Sequence, residues 1–372
     1  MLKLLRILTG PALKYIFAFH CKKEKALKRP SLIVANHYMD LDPALMLLDF
    51  PDLIYFVASE HIFRLGFLTK LLQFVFSPIP INKAQGDSSA LREIFGRLKA
   101  GFSVGIFAEG NRSFNGLTGN DIPFSTAKLV KMSGADLVTY RIQGAYFASP
   151  RWSKKLRRGK ITGAVTGRYS AETLKTMTHE EIFNVIQQGI SDDSYQWQKE
   201  NQIPFRGKDI AEHLETTLYL CPKCKKMGTL HSQGSRFFCD CGLDAVYTET
   251  GFIEGAPFTT VTDWDKWQVQ ELAAIVNNCG DEPICTDTHQ KLFLVHAATK
   301  GTLVGEGDMY ISRSEFCCAG MVFPLQQIRQ FAGIGKMTLV FSLKDGTQYE
   351  IKSVAPRSAL KYLHIYRILC NE

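Results

Sequence analysis

A histidine and an aspartate near the N-terminus have the types and spacing for acid–base chemistry, since His37 precedes Asp42 by five positions. A turn from strand to helix can bring the two side chains together. The carboxylate can then accept a hydrogen bond from one imidazole nitrogen, which fixes the tautomer and leaves the other nitrogen basic. Such an imidazole can take a proton from a substrate hydroxyl and accelerate a reaction by about 10²–10⁴-fold. Asp40 is at the wrong offset for this pairing and is a candidate cap for a helix starting near Pro43.

A second polar segment, residues 107–113, combines a carboxylate, a glycine, an arginine and a hydroxyl in Glu109, Gly110, Arg112 and Ser113. Glycine allows a ligand to approach the backbone closely. The planar guanidinium of arginine can hold a phosphate through two parallel hydrogen bonds. A simple surface turn would account for Gly110 but not for the whole cluster, so the segment predicts an anion-binding site beside a base.

Four cysteines have the spacing of a metal site. Cys221 and Cys224 form one close pair, Cys239 and Cys241 form another, and 14 residues separate the pairs. Two such pairs joined by a β-hairpin can place four thiolates tetrahedrally around zinc at about 2.3 Å. A complete set of four ligands indicates a structural zinc, because a catalytic zinc keeps one position open. Iron and a group of reduced core cysteines are the less favoured alternatives.

Short apolar runs alternate with helical patterns over the first half of the chain. The runs cover residues 31–35, 54–58, 103–108 and 136–142, and they predict buried strands. Alternating strands and helices predict an α/β fold, with a sheet flanked by helices. His37 follows the first strand and Glu109 follows the third, so both should lie at the carboxyl edge of the sheet, where such folds gather their functional groups.

In their order along the chain, these segments resemble the glycerolipid acyltransferase superfamily, and specifically the 1-acylglycerol-3-phosphate (lysophosphatidic acid) acyltransferases. The family motif Asn-His-x4-Asp is matched at residues 36–42, and Phe-Pro-Glu-Gly-Thr-Arg-Ser is matched at residues 107–113, with Ala108 in place of the proline. A second block runs from Glu60 to Lys83, and the family usually has arginine at the position of Lys83. The fourth block, Val-Pro-Val-like in the family, departs from that pattern at residues 137–142. The resemblance covers roughly residues 30–170.

The resemblance implies a mechanism and a set of site residues. His37 would remove the proton from a glycerol hydroxyl, which attacks the carbonyl of an acyl thioester, while Asp42 orients His37 and stabilises its imidazolium. The residues it assigns to substrate binding, chiefly to the acceptor's phosphate, are Lys83, Glu109, Gly110, Arg112 and Ser113. The donor would be acyl-CoA or acyl-carrier protein. The acceptor would be lysophosphatidate, glycerol 3-phosphate or another lysophospholipid in phospholipid biosynthesis.

The sequence predicts four parts. Residues 1–28 form an amphipathic arm, 29–215 the acyltransferase domain, 216–255 the four-cysteine zinc ribbon, and 256–372 a β-rich, pleckstrin-homology-like domain with a terminal helix. Residues 170–215 are polar and helical, as a connection between domains would be. Gly10 and Pro11 should divide the arm into two short helices.

The positive charge is concentrated at the N-terminus, where residues 1–30 hold eight basic side chains and one acidic side chain. A basic amphipathic arm is typical of attachment to an anionic membrane surface. No apolar run approaches the roughly 18 residues needed to cross a bilayer, and no signal peptide is recognisable. We therefore expect a cytoplasmic protein that binds the membrane peripherally.

A zinc ribbon also permits a different function, a nucleic-acid- or lipid-binding module without catalysis. Residues 215–255 carry five acidic and four basic side chains. This balance is a poor electrostatic match for a phosphate backbone. The acyltransferase is therefore preferred, and no nucleic-acid partner is expected.

Overall fold

The computed structural model describes residues 2–21, 23–59, 77–81, 88–295, 301–355 and 357–370. Its helices are α1 (Leu2–Phe17), α2 (Asp42–Asp49), α3 (Ser88–Lys99), α4 (Ser125–Ser133), α5 (Ala145–Ala148), α6 (Ala171–Thr176), α7 (His179–Ile190), α8 (Ser194–Asn201), α9 (Val261–Asn278) and α10 (Ala359–Cys370). Short 3₁₀ turns cover Leu214–Thr216 and Leu325–Gln327. Within the described residues, no helix is both long enough and apolar enough to span a membrane.

The strands of the described residues belong to four sheets. Those of the first half of the chain are β1 (His20–Cys21), β2 (Ser31–Ala35), β3 (Ile54–Ser59), β4 (Ile79–Ile81), β5 (Ser103–Phe107), β6 (Leu117–Thr118), β7 (Asp136–Gln143), β8 (Thr162–Tyr169) and β9 (Asp192–Asp193). Those of the second half are β10 (Leu230–Gln233), β11 (Arg236–Cys239), β12 (Asp244–Tyr247), β13 (Ile253–Glu254), β14 (Cys285–Val295), β15 (Thr302–Ile311), β16 (Glu315–Cys318), β17 (Met321–Pro324), β18 (Ile328–Ile334), β19 (Thr338–Leu343) and β20 (Gln348–Ser353).

The largest α/β unit is a seven-stranded sheet with the order β1-β8-β7-β2-β5-β3-β4. Its pairings are parallel except for the antiparallel pair β7–β8. The central strand β2 is buried along its whole length, with Leu32 and Val34 in the core on one face and Ile33 and Ala35 in the core on the other. A strand covered on both faces reads as a continuous apolar run, which is why the sequence located it correctly. The predicted α/β fold is confirmed.

The polar segment 170–215 contributes to the core instead of serving only as a connection. Helix α7 is amphipathic and buries Ile182, Ile186 and Ile190 beside residues of the main sheet. It begins with a capping box, in which Thr178 and Glu181 exchange backbone and side-chain hydrogen bonds. The exposed polar face of the helix hid this role in the sequence.

Helix α1 is continuous, so the expected break at Gly10 and Pro11 is wrong. The reason is tertiary packing against α2: a Cβ atom at Gly10 would lie 3.2 Å from Leu48 Cδ2. The guanidinium of Arg6 donates hydrogen bonds to backbone carbonyls at the C-terminal end of α2, those of Leu47, Phe50, Pro51 and Asp52. A cation at this end of a helix satisfies its free carbonyls and is favoured by the helix dipole.

The cysteine segment folds as an antiparallel sheet, β10-β11-β12-β13, with the predicted hairpin between the two cysteine pairs. Its inner face belongs to the same hydrophobic core as one face of the main sheet. The Trp152 and Tyr247 rings meet edge to face at 5.7 Å, and Phe205 N donates to Glu249 O at 2.7 Å.

The C-terminal part is β-rich and ends in a helix, as expected. Seven antiparallel strands follow the order β17-β16-β15-β14-β20-β19-β18, and α10 packs beside β18. They enclose a separate hydrophobic core centred on Phe316, Phe341 and Tyr362.

Candidate active site and metal centre

The histidine and aspartate meet at the carboxyl end of β2. His37 Nδ1 lies 2.8 Å from Asp42 Oδ2, and the Asp42 side chain is fully buried. The same oxygen accepts backbone hydrogen bonds from Tyr38 N at 2.7 Å and Met39 N at 2.9 Å. Asp42 is the first residue of α2, where the helix dipole favours a negative charge. One carboxylate oxygen therefore shapes the turn and orients the imidazole.

Two further contacts hold His37 in place. Its ring stacks on Phe107 with centroids 4.3 Å apart, and its backbone oxygen accepts from Ser113 N at 3.0 Å. The side chain is 18% exposed. Within the described part of the chain, Nε2 has no hydrogen-bond partner. The arrangement leaves Nε2 available as a proton acceptor in an ordered, partly open position.

Asn36 joins the two strands that carry the site. Its Nδ2 donates to Ile142 O, and its Oδ1 accepts from Ile142 N, both at 2.8 Å. These two bonds continue the β2–β7 pairing past Ala35, where the strand ends. Because the side chain is completely buried, the asparagine serves to position the turn that carries His37.

Arg112 lies directly beside the pair, as the sequence predicts, but its guanidinium is already engaged. Nε donates to Tyr38 O at 2.8 Å, and Nη2 donates to Ser149 O at 2.5 Å. Nη1 lies 3.1 Å from Asp40 Oδ2, whose side chain is 84% exposed. Asp40 therefore pairs with Arg112; the helix start has Leu41 at the capping position and no side-chain cap. Asp40 is thus the exposed partner of this ion pair, whereas the Arg112 side chain is mostly buried.

The other residues of segment 107–113 shape the loop. Glu109 Oε1 accepts from Gly119 N at 2.8 Å, and Ser113 Oγ accepts from Gly116 N at 3.0 Å. Gly110 has a φ of +66° in the turn after β5. The pKa of Glu109 is raised to about 7, mainly by burial of its side chain, whereas the hydrogen bond from Gly119 acts in the opposite direction. Lys83 and most of the second family block lie outside the described residues.

A family comparison bears directly on this geometry. Residues 17–142, which contain the His37–Asp42 pair and Arg112, match the family model named Acyltransferase. Residues 17–142 are therefore similar to the Acyltransferase family, and we refer to them as the acyltransferase domain. Among solved structures, the chain is similar to the 1-acyl-sn-glycerophosphate (LPA) acyltransferase PlsC from Thermotoga maritima, with a TM-score of 0.42 and 19% identity. That match covers 50% of this chain and 77% of the other. No significant match to a curated protein sequence is found.

The four cysteines predicted to hold a metal come together beside the acyltransferase domain. All four Sγ atoms lie within 4.8 Å of one another. The Cys221–Cys241 and Cys224–Cys239 sulfur pairs are 3.7 and 3.8 Å apart. A tetrahedral zinc with bonds of about 2.3 Å requires about 3.8 Å between its sulfur ligands. The cluster therefore fits a four-thiolate zinc site with no open position.

Two arginines that follow the acyltransferase domain have structural roles that the sequence does not indicate. Residues 151–160 stand out in the sequence as a run with six basic and no acidic side chains. Arg151 and Arg157 are nevertheless buried, at 5% and 2% exposure. No local signal separates them from the exposed Lys154, Lys155 and Arg158, because their partners are distant in the chain.

Proposed function

We propose that the chain is an O-acyltransferase that moves a fatty acyl group from acyl-CoA or acyl-carrier protein to the free hydroxyl of lysophosphatidate or a related lysophospholipid. The observation that carries this proposal is the His37–Asp42 pair, set beside Arg112 within an acyltransferase domain. The pair supplies the base that a hydroxyl nucleophile needs, and Arg112 supplies a cation for a phosphate.

In the proposed reaction, His37 Nε2 takes the proton of the acceptor hydroxyl while its oxygen attacks the thioester carbonyl carbon. The new C–O bond forms, the C–S bond breaks, and the departing thiolate takes the proton from the imidazolium. Asp42 stabilises the imidazolium through Nδ1. Arg112 binds the acceptor's phosphate by exchanging Asp40 for it. Lys83, Glu109, Gly110 and Ser113 complete the proposed acceptor site, and the last three act by holding the loop.

We also propose that the cysteine cluster binds one structural zinc and that the protein works at the cytoplasmic face of an anionic membrane. Four thiolates around a closed site give zinc no position for substrate. The basic residues of α1 and its exposed Tyr15 and Ile16 support the membrane proposal.

Acyl transfer should be measured with both donor types and with lysophosphatidate, glycerol 3-phosphate and other lysophospholipids as acceptors. We expect His37→Ala to lower kcat by about 10²–10⁴-fold with an unchanged far-ultraviolet circular dichroism spectrum. His179→Ala, on the exposed start of α7, is the matched control and should keep wild-type turnover. Substantial turnover by His37→Ala would refute the assigned base. No turnover by the wild type with any substrate pair, together with salt-dependent DNA binding, would favour the non-catalytic zinc-ribbon module.

A further inference from the structure

A buried arginine joins the active-site loop to the C-terminal sheet. Arg151 Nη1 donates to Arg112 O at 2.8 Å, and its guanidinium lies 3.7 Å from the centre of the Phe114 ring. Its Nε donates to Gly335 O at 2.7 Å, and Nη2 donates to Gly333 O at 3.2 Å. The side chain is thus shared between the loop at residues 112–116 and the end of β18 together with the turn that connects it to β19.

The end of β18 and the turn that follows it are shaped to receive this arginine. A Cβ atom at Gly333 would lie 3.2 Å from Leu363 Cδ1 and 3.6 Å from Arg151 Nη2, so a side chain there would crowd both the helix α10 contact and the guanidinium. Gly335 has a φ of +58°. The next residue, Lys336, donates from Nζ to Trp152 O at 2.8 Å, which ties the same turn to the residue after Arg151.

The loop at residues 112–116 is held at several other points. Ser113 N donates to the His37 backbone, as described above. Asn115 Nδ2 donates to Asp265 Oδ2 at 2.8 Å, and Thr262 Oγ1 donates to Asn115 O at 2.6 Å. Both latter partners lie on α9. The loop therefore contacts the catalytic histidine on one side and the C-terminal third of the chain on the other.

We propose that Arg151 is a positioning residue for acyl transfer, through which the C-terminal sheet holds the Arg112 loop in register with His37. The inference rests on the proposed function. Burying a guanidinium costs free energy unless its N–H groups are hydrogen-bonded. The N–H groups of Arg151 donate to the loop and to the C-terminal sheet at the same time. A displacement of about 1 Å at a reacting centre can reduce a rate by about 10²-fold. Loss of the Arg151 contacts is therefore expected to lower kcat. The C-terminal sheet thereby acquires a role in the reaction without contacting substrate.

The test compares Arg151→Met with Lys336→Met, which removes a contact of the same turn but does not touch the loop. We expect Arg151→Met to lower kcat about 10–100-fold with less than about a threefold change in KM for the acyl donor. Lys336→Met should keep kcat within about threefold of wild type. Arg151→Lys keeps the positive charge, but its single ammonium group cannot donate to the loop and to the turn as the guanidinium does. This variant should therefore recover only part of the lost kcat. If Arg151→Met does not fold, Arg151→Lys carries the test.

A second readout does not depend on activity. Hydrogen–deuterium exchange of the 112–116 segment should be faster in Arg151→Met, or in Arg151→Lys if only that variant folds, and unchanged in Lys336→Met. Wild-type kcat or wild-type protection of this segment in the folded Arg151 variant would overturn the inference. A wild-type protein without turnover would instead defeat the proposed function, and the exchange measurement would still decide whether Arg151 holds the loop.

Discussion

At the scale of single residues, the active-site loop is built from side chains that bind backbone. Asp42 accepts from two main-chain N–H groups as well as from His37, and Arg112 donates to two carbonyls as well as to Asp40. Replacing either residue therefore changes both the local charge and the shape of the turn. We expect Asp42→Asn to be less damaging to the fold than Asp42→Ala, because the amide oxygen can still accept a backbone N–H.

Glu109 should make stability depend on pH. Its folded-state pKa is raised from 4.5 to about 7, mainly by burial. The folded protein then binds more protons than the unfolded chain between these values, so the associated stability is present below pH 4.5 and is lost as pH rises through 7. The free energy of unfolding of wild type relative to Glu109→Gln should fall across this range by at most about 3 kcal/mol. Urea unfolding from pH 4.5 to 8 measures this difference.

The exposed Glu180→Gln is the control for that titration, since it removes a carboxylate from the surface of α7. It should show a much smaller change relative to wild type over the same pH range. A constant difference between wild type and Glu109→Gln would contradict the buried-carboxyl explanation.

At the scale of elements, one face of α1 packs on α2 and another face is exposed. Arg6 and Gly10 fix it on α2, and Phe17 and Phe19 are buried in the core. Strand β1, which follows, pairs with β8 at the edge of the main sheet. On the other side, Tyr15 is 68% exposed and lies under the guanidinium of Arg158 at 4.4 Å. The membrane proposal therefore concerns one face of this helix, and deletion of residues 1–28 would also damage the core.

Charge reversal on that face tests the membrane proposal without removing buried residues. Lys14→Glu combined with Arg158→Glu should weaken sedimentation with vesicles that contain anionic lipid by about tenfold or more, because each basic side chain near such a surface contributes about 1 kcal/mol. The effect should shrink at high salt. Lys199→Glu, an exposed lysine on α8, is the control. Equal sedimentation of the double variant and wild type would argue against this face.

At the scale of the molecule, the four-cysteine ribbon (strands β10–β13 with the cysteine cluster) and the acyltransferase domain share a hydrophobic core. Cys221 and Cys239 are buried in the same cluster as Ile33, Ala35 and Tyr38. Trp264 at the start of α9 packs on Phe237 of the ribbon and donates from Nε1 to Leu220 O at 2.9 Å. A loss of stability in the ribbon should therefore also destabilise the core residues that pack beneath the active site.

Metal removal should consequently destabilise the acyltransferase domain as well as the ribbon. Structural zinc contributes about 10–16 kcal/mol of binding free energy in small fingers, so its loss should lower Tm and activity together. Metal analysis should give about one zinc per chain. Cys221→Ser should lose it, whereas Cys279→Ser, outside the cluster, should retain it. A Cys221→Ser protein with full metal content and wild-type Tm would exclude this arrangement.

The sequence alone determined the features that depend on near neighbours. Buried strands such as β2 were located because a central parallel strand is apolar at every position. The His37–Asp42 contact was predicted because five residues of turn are enough to close it. The cysteine cluster followed from the short span within each pair and the hairpin between them.

Tertiary structure decided the features whose partners are far apart in the chain. Arg151 reaches Gly335 across 184 positions, and its burial has no local signal. The same holds for the continuity of α1 through Pro11, which depends on α2, and for the core shared with the ribbon. Sequence spacing therefore supplied the reactive groups, whereas long-range packing supplied the supports that hold them, because a side chain's environment is set by whatever the folded chain brings against it.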